Sequence, residues 1–238
     1  MSTRFTIQTR KLLGLLDDLI TTAGNQVDEP TFNGIHISSA RGAWGEEPGD
    51  VDLLVGISAN GEVVGNTWVP GIGSIDAGFW ALINVKNIKY VFNPLAKRHD
   101  KENGIDDPHM VNIIVKDGFV TIFEETSDEP TELQFPVEDN DFPLSGMVKW
   151  INGESANTPK DEDGNDAEDG ALTVWTPALG LFLGVARRRK EFLRLYSPDH
   201  SAKIHTAQIG ESWRGAIKPN VPKNGTIDVD KPDSDFFL

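Results

Sequence analysis

The chain has 238 residues, of which 37 are Asp or Glu and 22 are Lys or Arg, so its formal net charge is −15. A hydrophobic content of 38% and a charged content of 25% are typical of a folded protein, and the length suggests one large domain or two small ones. The absence of cysteine excludes disulfide bonds and thiolate sites, while the negative charge argues against simple electrostatic adhesion to nucleic acid or anionic lipid.

Residues 4–70 are predicted to form a strand, a helix and three further strands. Six Leu and Ile residues between positions 12 and 20 recur at the spacing of one helical face, with Thr9 as the N-cap and Gly24 as the stop. Asn60 and Gly61 predict a hairpin turn between the last two strands, because both residue types tolerate a positive φ. The strands are expected at 5–7, 35–39, 51–58 and 62–69.

Residues 78–137 repeat the same order of elements, which gives a period of about 70 residues. A helix with one apolar face should follow the first strand, and Pro94 is expected to end that helix near Asn93. Asp117 and Gly118 predict a second hairpin turn. The strands are expected at 79–83, 111–115, 119–123 and 132–137.

A third copy of the unit follows a break in the pattern. Residues 153–170 are rich in Gly, Asn and acidic residues, and we expect an exposed, mobile insertion there. Thr176 as N-cap and Pro177 at the first helical position favour a helix over 178–190. The strands of this copy are expected at 172–175, 192–196, 203–209 and 213–217, with a lone strand at 147–151 and a flexible tail from residue 219.

The sequence contains no recognised catalytic motif. Its five histidines form neither a His-Glu-x-x-His pattern nor a facial triad, and neither a P-loop nor a Gly-x-Ser-x-Gly nucleophile elbow occurs. The acidic run from Asp161 resembles a calcium loop but has Asp166 and Leu172 where that loop needs Gly and Glu. We favour ordinary surface or half-buried histidines over a metal site shared by His200 and His205. We therefore predict no catalytic residue, no metal and no cofactor, and we predict that the protein is not an enzyme.

Positive charge is concentrated in the three predicted helices and at their ends, which hold 11 of the 22 basic residues. On the second helix, Lys86 and Lys89 lie on the face opposite Ile88, so that helix is apolar toward a sheet and basic toward another surface. Cations at the end of the third helix also complement its macrodipole, which explains part of that cluster without any ligand. The candidate binding residues are Arg10, Lys11, Lys86, Lys89, Lys97, Arg98, Arg187, Arg188, Arg189 and Lys190.

This order of elements resembles that of DNA polymerase sliding clamps of the phage and bacterial beta-clamp type. Three stretches carry the resemblance: an opening strand and helix, a second strand and helix, and a strand pair that leads to Asp141-Phe142-Pro143. The resemblance covers residues 4–145 and, more loosely, 171–218. It implies an α+β fold of repeated strand-helix-three-strand units, with antiparallel sheets outside and helices lining a ring.

The resemblance also implies a division into domains. Domain 1 is expected at 1–145 with two units, a reduced domain 2 at 146–218 with the insertion 153–170, and the flexible tail at 219–238. A bacterial clamp chain has three domains of two units each, and a shorter phage chain has two. If a fourth unit is present but too degenerate to recognise, each chain has four units and a ring of twelve units is a trimer, which the chain length favours. If the second domain is reduced instead, each chain has three units and the ring is a tetramer.

The function implied by the resemblance is mechanical. A sliding clamp encircles duplex DNA, and here the ten basic residues would contact phosphates without regard to sequence. The expected partners are DNA, a replicative polymerase that the ring tethers, a clamp loader and further copies of the chain. Phe236, Phe237 and Leu238 follow an aspartate and resemble the acidic-then-apolar peptides through which such partners bind. A disordered apolar end without a partner is the simpler interpretation of these residues, and the one that we favour.

The first residues of the chain have no apolar signal core, and no run approaches 18 apolar residues. We therefore expect neither secretion nor a membrane span, and we expect the cytoplasm of a bacterium or of a phage-infected host.

Two alternatives stay open. The main one is an acidic β-rich interaction or regulatory protein, such as a DNA mimic, that does not encircle DNA. A hydrolase without a recognisable motif is the other. Convergence of Lys86, Lys89 and residues 187–190 on one surface would favour the clamp, whereas scattered cations would favour the mimic.

Overall fold

The computed structural model describes residues 4–25, 30–45, 49–104, 106–124, 130–152, 176–196 and 205–217. These ranges contain four α-helices, α1 (Thr9–Thr22), α2 (Leu82–Asn103), α3 (Leu144–Ile151) and α4 (Thr176–Arg189). They also contain eleven strands, β1 (Arg4–Gln8), β2 (Gly34–Gly42), β3 (Val51–Ala59), β4 (Val63–Gly73), β5 (Gly78–Ala81), β6 (Met110–Lys116), β7 (Phe119–Glu124), β8 (Glu132–Pro136), β9 (Leu193–Tyr196), β10 (His205–Ile209) and β11 (Trp213–Ile217). The expected insertion 153–170, the strand at 172–175, His200 and the tail 219–238 lie outside the described residues.

The first two units exchange their first strands. β1 pairs with β6, and that sheet continues through β7 and β8. β5 pairs with β2, and the other sheet continues through β3 and β4. All of these pairings are antiparallel, and each sheet contains strands of both units. The two units therefore depend on each other, because the strands of one unit alone complete neither sheet.

The third copy of the unit extends the sheet of the first. β9, β10 and β11 form an antiparallel ladder, and β11 pairs with β4 from Trp213 opposite Thr67 to Ile217 opposite Val63. The result is a row of seven strands in the order β5-β2-β3-β4-β11-β10-β9, the seven-stranded sheet. It is joined to the sheet of β1, β6, β7 and β8 because β1 also pairs with β4, with Phe5 opposite Gly73 and Thr6 opposite Ile72, so the eleven strands are continuous. Helices α1, α2 and α4 pack on one face of the two sheets, the inner face, whereas α3 packs on the outer face.

Two apolar cores lie on the inner face. The larger one joins α1 and α2 to both sheets, and Leu16 of α1 and Ile88 of α2 are fully buried in it. The smaller one lies under α4, where the ring of Phe182 packs edge-on against Trp213 with their centroids 4.9 Å apart. Each fully buried side chain of this size contributes about 1.5–3 kcal/mol. The apolar faces of the three helices thus pack against the sheets, and the polar faces of these helices point away from the sheets.

Both predicted hairpin turns are confirmed. Gly61 has a φ of 84°, and the side-chain oxygen of Asn60 accepts hydrogen bonds from the backbone N–H groups of Glu62 and Val63. Asp117 and Gly118 have φ values of 53° and 78°, as a two-residue turn with both central residues in the left-handed region requires.

The prediction that Pro94 ends the second helix is wrong, because α2 continues through it to Asn103. Pro94 is exposed, so the carbonyl of Tyr90, which loses its helical hydrogen bond, can be solvated. On the opposite side of the helix, Phe92 and Ala96 are fully buried and hold both halves of α2 against the sheets.

The lone strand predicted at 147–151 is also wrong, because these residues belong to α3. Leu144, Met147 and Ile151 lie at i, i+3 and i+7, which places them on one helical face, and that face packs against Ile57 and Phe142. Packing on the outer face of the sheet therefore determines the helical state of this segment.

The burial of His205 makes the stability of the fold depend on pH. His205 begins β10, only 1% of it is exposed, and neither ring nitrogen has a hydrogen-bond partner among the described residues. Burial lowers the pKa of His205 from its ordinary value of 6.5, so the unfolded chain binds a proton that the folded chain rejects. The stabilising effect of the neutral ring is complete above pH 6.5 and is lost as the pH falls toward the lowered folded value.

We expect the free energy of unfolding to decrease between pH 7.5 and 5.5, by up to about 1.4 kcal/mol per pH unit for this one proton. Urea unfolding of the wild type and of His205→Leu at both values measures the effect. The variant should show a smaller decrease, and an equal decrease in both proteins would contradict the assignment.

Candidate nucleic-acid interface

Helices α1, α2 and α4 lie side by side on the inner face, with α1 in the centre in contact with both of the others. Arg10 near the start of α1 pairs with Asp100 near the end of α2, and Asp17 pairs with Lys89, so α1 and α2 run antiparallel. The sides of these three helices that point away from the sheets form one surface, which we name the helical face.

The helical face has the opposite charge from the protein as a whole. Its three helices contain ten Lys or Arg and four Asp or Glu, and thus carry a net charge of +6. The whole chain carries −15. Most of the described acidic residues therefore lie outside these helices, and the charge of the three helices attracts anions.

Three of the four acids on these helices form ion pairs between helices. The Arg10 guanidinium binds Asp100 at 2.6 Å, Lys89 binds Asp17, and Asp18 accepts hydrogen bonds from two arginines of α4. Of the ten predicted binding residues, four thus have an acidic partner. They are Arg10, Lys89, Arg188 and Arg189.

Arg189 is bound entirely within the protein. Its three side-chain nitrogens donate to Asp18 Oδ2 at 2.7 Å, to Ser212 Oγ at 2.9 Å and to Thr67 Oγ1 at 2.7 Å. Only 16% of the side chain is exposed. These contacts join α4 to α1, to β4 and to the turn before β11, so we assign Arg189 a structural role.

Arg188 is bound to Asp18 on one side and open on the other. Its Nε and Nη2 donate to Asp18 Oδ1 at 3.1 and 2.8 Å, while more than a third of the side chain stays exposed. Lys11 and Gly14 of α1 line the same cavity as Arg188, which has a volume of about 290 Å³. The structure thus brings together two predicted binding residues that are 177 positions apart in the sequence.

Six of the ten predicted residues form no ion pair with any residue that the structure describes. Five of them are exposed and Lys11 is half-buried. Since their charges are not neutralised locally, they are the residues on this side best able to contact a phosphate. The six are Lys11, Lys86, Lys97, Arg98, Arg187 and Lys190.

Tyr90 is a candidate contact that the sequence analysis missed. It lies on the exposed stripe of α2 between Lys86 and Lys97, and 84% of it is exposed. A tyrosine hydroxyl can donate a hydrogen bond to a phosphate oxygen. The signal was present in the sequence, because Tyr90 follows Lys86 by four residues and therefore shares its helical face.

Three buried side chains form a hydroxyl–imidazole–carboxylate chain, the same sequence of groups as in a catalytic triad. Thr9 Oγ1 lies 2.7 Å from His109 Nδ1, and His109 Nε2 lies 3.1 Å from Glu124 Oε1. Thr9 is 0% exposed, so no substrate can reach its hydroxyl, and the group connects α1 to β6 and β7 instead. The predicted N-cap role of Thr9 is wrong for the same reason, since Gln8 is the N-cap and the Thr9 hydroxyl faces His109.

Hydrogen bonds keep this buried carboxylate ionised. Burial raises the pKa of Glu124, but hydrogen bonds from Thr131 and His109 lower it further than burial raises it, so the net pKa lies below its ordinary value of 4.5.

No three His, Asp or Glu side chains within the described ranges are grouped closely enough to hold a metal ion. Likewise, none of the helices in those ranges is long and apolar enough to cross a membrane.

Comparison with known proteins identifies the fold. No protein-family model and no curated protein matches the chain. Solved structures match at low identity: the beta subunit of DNA polymerase III from Thermotoga maritima (12% identical, TM-score 0.58, covering 92% of this chain and 66% of that one) and its counterpart from Pseudomonas aeruginosa (12%, 0.60, 93% and 66%). A sliding clamp from Bartonella birtlesii is similar as well (11%, 0.58, 92% and 66%).

These similarities confirm the predicted fold class. The chain has the α+β sliding-clamp fold of repeated strand-helix-three-strand units with antiparallel sheets. It spans slightly less than two thirds of the length of the structures that it matches.

Asp18 should be essential for the attachment of α4. Only 3% of its side chain is exposed, and Asp18→Asn would remove the charge that compensates two arginines. We expect the free energy of unfolding to fall by roughly 3–5 kcal/mol, because the change leaves buried charge unpaired. Urea unfolding measures this loss.

Asp17→Asn is the matched control, since the neighbouring Asp17–Lys89 pair is one-third exposed on both sides. Its loss should be below about 1 kcal/mol. Equal losses in the two variants would show that Asp18 has no special role.

Proposed function

We propose that this chain, which has the fold of bacterial sliding clamps, is itself a DNA sliding clamp that encircles duplex DNA and tethers a replicative polymerase. The observation that carries the proposal is the helical face, a surface of net charge +6 in a protein of net charge −15. Duplex DNA is attracted to this face and repelled by the remaining surface. The distribution of charge therefore determines which side of the protein meets DNA.

The proposed contacts are the six cations without ion pairs among the described residues, together with Tyr90 and the exposed part of Arg188. Lys and Arg side chains contact phosphates without reading the bases, and such contacts weaken as salt competes for the phosphates. Weak, sequence-blind contacts suit a ring that must slide, because the closed ring alone prevents dissociation.

We propose a homo-oligomeric ring, with a trimer favoured by chain length and a tetramer as the alternative. Among the described strands, β8 pairs only with β7 and β9 pairs only with β10, apart from an isolated bridge beyond the end of β8. Each thus offers a strand edge on a different sheet. Pairing of such edges between copies would close the ring and would protect the edges from aggregation.

The remaining partners follow from this role. A closed ring cannot pass onto circular DNA unless one interface opens, so a clamp loader is required. The polymerase binds the ring, and the chain itself needs no catalytic group. Replication of bacterial and phage DNA takes place in the cytoplasm, where we place the protein.

The DNA mimic is the weaker proposal because a mimic gains nothing from a basic surface. It would present its acids to a basic partner, and its cations would be scattered. Instead, the basic residues of three helices that are distant in sequence lie on adjacent helices, and three of their four acids are used in ion pairs between helices.

Removal of cations from the helical face should weaken DNA binding without affecting assembly. We expect Lys86→Ala, Lys97→Ala and Arg187→Ala together to lower the dependence of log affinity on log salt by about 2 to 3, since each phosphate contact contributes about 0.9. Fluorescence anisotropy with a labelled duplex at several salt concentrations measures the slope, and native mass spectrometry reports the oligomer.

The control variant changes three cations of the sheets and of α3 to alanine, which alters the net charge equally. It carries Arg41→Ala, Lys116→Ala and Lys149→Ala. The salt dependence should stay at the wild-type value in this protein. An equal decrease in both variants would mean that only net charge matters, and loss of the oligomer in the first would place its residues at a subunit interface.

The ring itself can be tested through topology. We expect a mass of three chains by native mass spectrometry and, with a clamp loader, retention on nicked circular DNA that is lost when the DNA is cut. The loss follows because a ring slides off free ends. A monomer throughout the micromolar range, or equal retention on circular and linear DNA, would contradict the proposal.

A further inference from the structure

An apolar groove lies on the outer face of the seven-stranded sheet, on the side opposite the helical face. It has a volume of about 300 Å³ between α3 and strands β2, β3 and β4. Val55 and Ile57 form part of its floor, and Val148 and Ile151 of α3 form its wall. Val148 is 43% exposed, so the wall contains apolar surface that the described residues do not cover.

The floor of the groove continues into a basic surface. Residues opposite each other in neighbouring strands point to the same face of a sheet, about 5 Å apart. One such row crosses six strands and changes from apolar to basic along its length. In order from β2 to β9 it consists of His36, Ile57, Asn66, Arg214, Gln208 and Arg194. A ligand in the groove would therefore have two arginines at one end.

The groove is uncharged where it is apolar. The ring of His36 stacks on Phe142 with an angle of 12° between the planes, and burial lowers the pKa of His36 below its ordinary value of 6.5. Its imidazole is therefore neutral at pH 7. Apolar groups above the floor and carboxylates near Arg214 are the chemistry that this surface fits.

The chain contains a segment with that chemistry, separated from the end of β11 by 15 residues. Residues 233–238 read Asp-Ser-Asp-Phe-Phe-Leu, with two carboxylates followed by three large apolar side chains. We propose that this segment binds in the groove of its own chain, with Phe236 and Phe237 against the apolar floor and Asp233 and Asp235 near Arg214 and Arg194. The inference does not depend on the clamp function.

The connection is long enough for this contact. β11 ends at Ile217, which lies opposite Val63, and the groove residue Asn66 is three positions further along β4, about 10 Å away. The 15 residues from 218 to 232 span up to about 50 Å when extended and about 21 Å on average as a flexible chain. No strain is needed to bring the segment to the groove.

The short connection also makes weak binding sufficient. A flexible link of this length gives an effective concentration of about 1 mM. If the free peptide binds with a Kd of about 100 μM, the ratio of bound to unbound segment within one chain would then be about 10. Any external peptide of the same chemistry would bind about tenfold more weakly than to an empty groove. The segment would thus act as a built-in competitor for this surface.

The test uses the full chain and a fluorescein-labelled peptide with the sequence of residues 233–238, followed by fluorescence anisotropy. We expect the double variant Phe236→Ala, Phe237→Ala to bind the peptide about tenfold more tightly than the wild type, because its groove is empty. Equal affinity for the two proteins, or binding to neither, would overturn the proposal.

Three substitutions in the double variant, one of them a control, locate the binding site. Val148→Glu places a charge on the groove wall and should abolish peptide binding, whereas Leu183→Glu, an equal change at an exposed position of α4, should have no effect. Arg214→Gln leaves the apolar groove intact and should weaken binding severalfold. Binding that none of these changes alters would place the peptide elsewhere.

Protein concentration distinguishes binding within one chain from binding between chains. The chain contains no cysteine, so Ser234→Cys can be labelled with fluorescein, and the anisotropy of this label should be the same at about 1 μM and at about 200 μM protein, because occupancy within one chain does not depend on concentration. An anisotropy that is low at 1 μM and rises with concentration would assign the groove to a second copy and would overturn the intramolecular contact.

Discussion

A single buried carboxylate determines how the third copy of the unit is attached to the first two. Asp18 has 3% of its side chain exposed and accepts hydrogen bonds from Arg188 and Arg189 of α4. A buried charge is costly unless it is compensated, so α4 must lie beside α1 to place its two arginines against Asp18. Arg189 also binds Thr67 of β4, the strand to which β11 pairs. The contact of α4 with α1 and the pairing of β11 with β4 therefore require the same position of the third copy.

The helical face depends on the same constraint. The acids at 17, 18 and 100 on α1 and α2 connect neighbouring helices and use four cations in doing so. Because these acids are satisfied within the layer, they do not neutralise the exposed cations around them. Structural pairs and free cations thus coexist on the same three helices. The former fix the relative positions of the helices, and the latter give the surface its sign.

Local periodicity predicted the elements well, and tertiary contacts explain the errors. Alternating apolar residues and the Asn60-Gly61 turn are local signals, so the strands and hairpins of the first two units were predictable. The five residues at 147–151 are too few to distinguish a period of two from one of 3.6, and only packing on the sheet determines α3. The pairing of Arg188 with Asp18, 170 positions apart, was not predictable from local sequence, nor was the exchange of β1 and β5 between units.

Net charge alone therefore does not decide whether this protein can approach DNA. In 0.1 M salt the field of an exposed charge decays over about 10 Å, comparable to the thickness of one layer of secondary structure. A phosphate next to the exposed side of α2 is thus influenced mainly by Lys86, Lys97 and their neighbours. Charges much farther away than this contribute little at that point. An acidic protein with a cluster of exposed cations on one helical face can therefore attract an anion to that face.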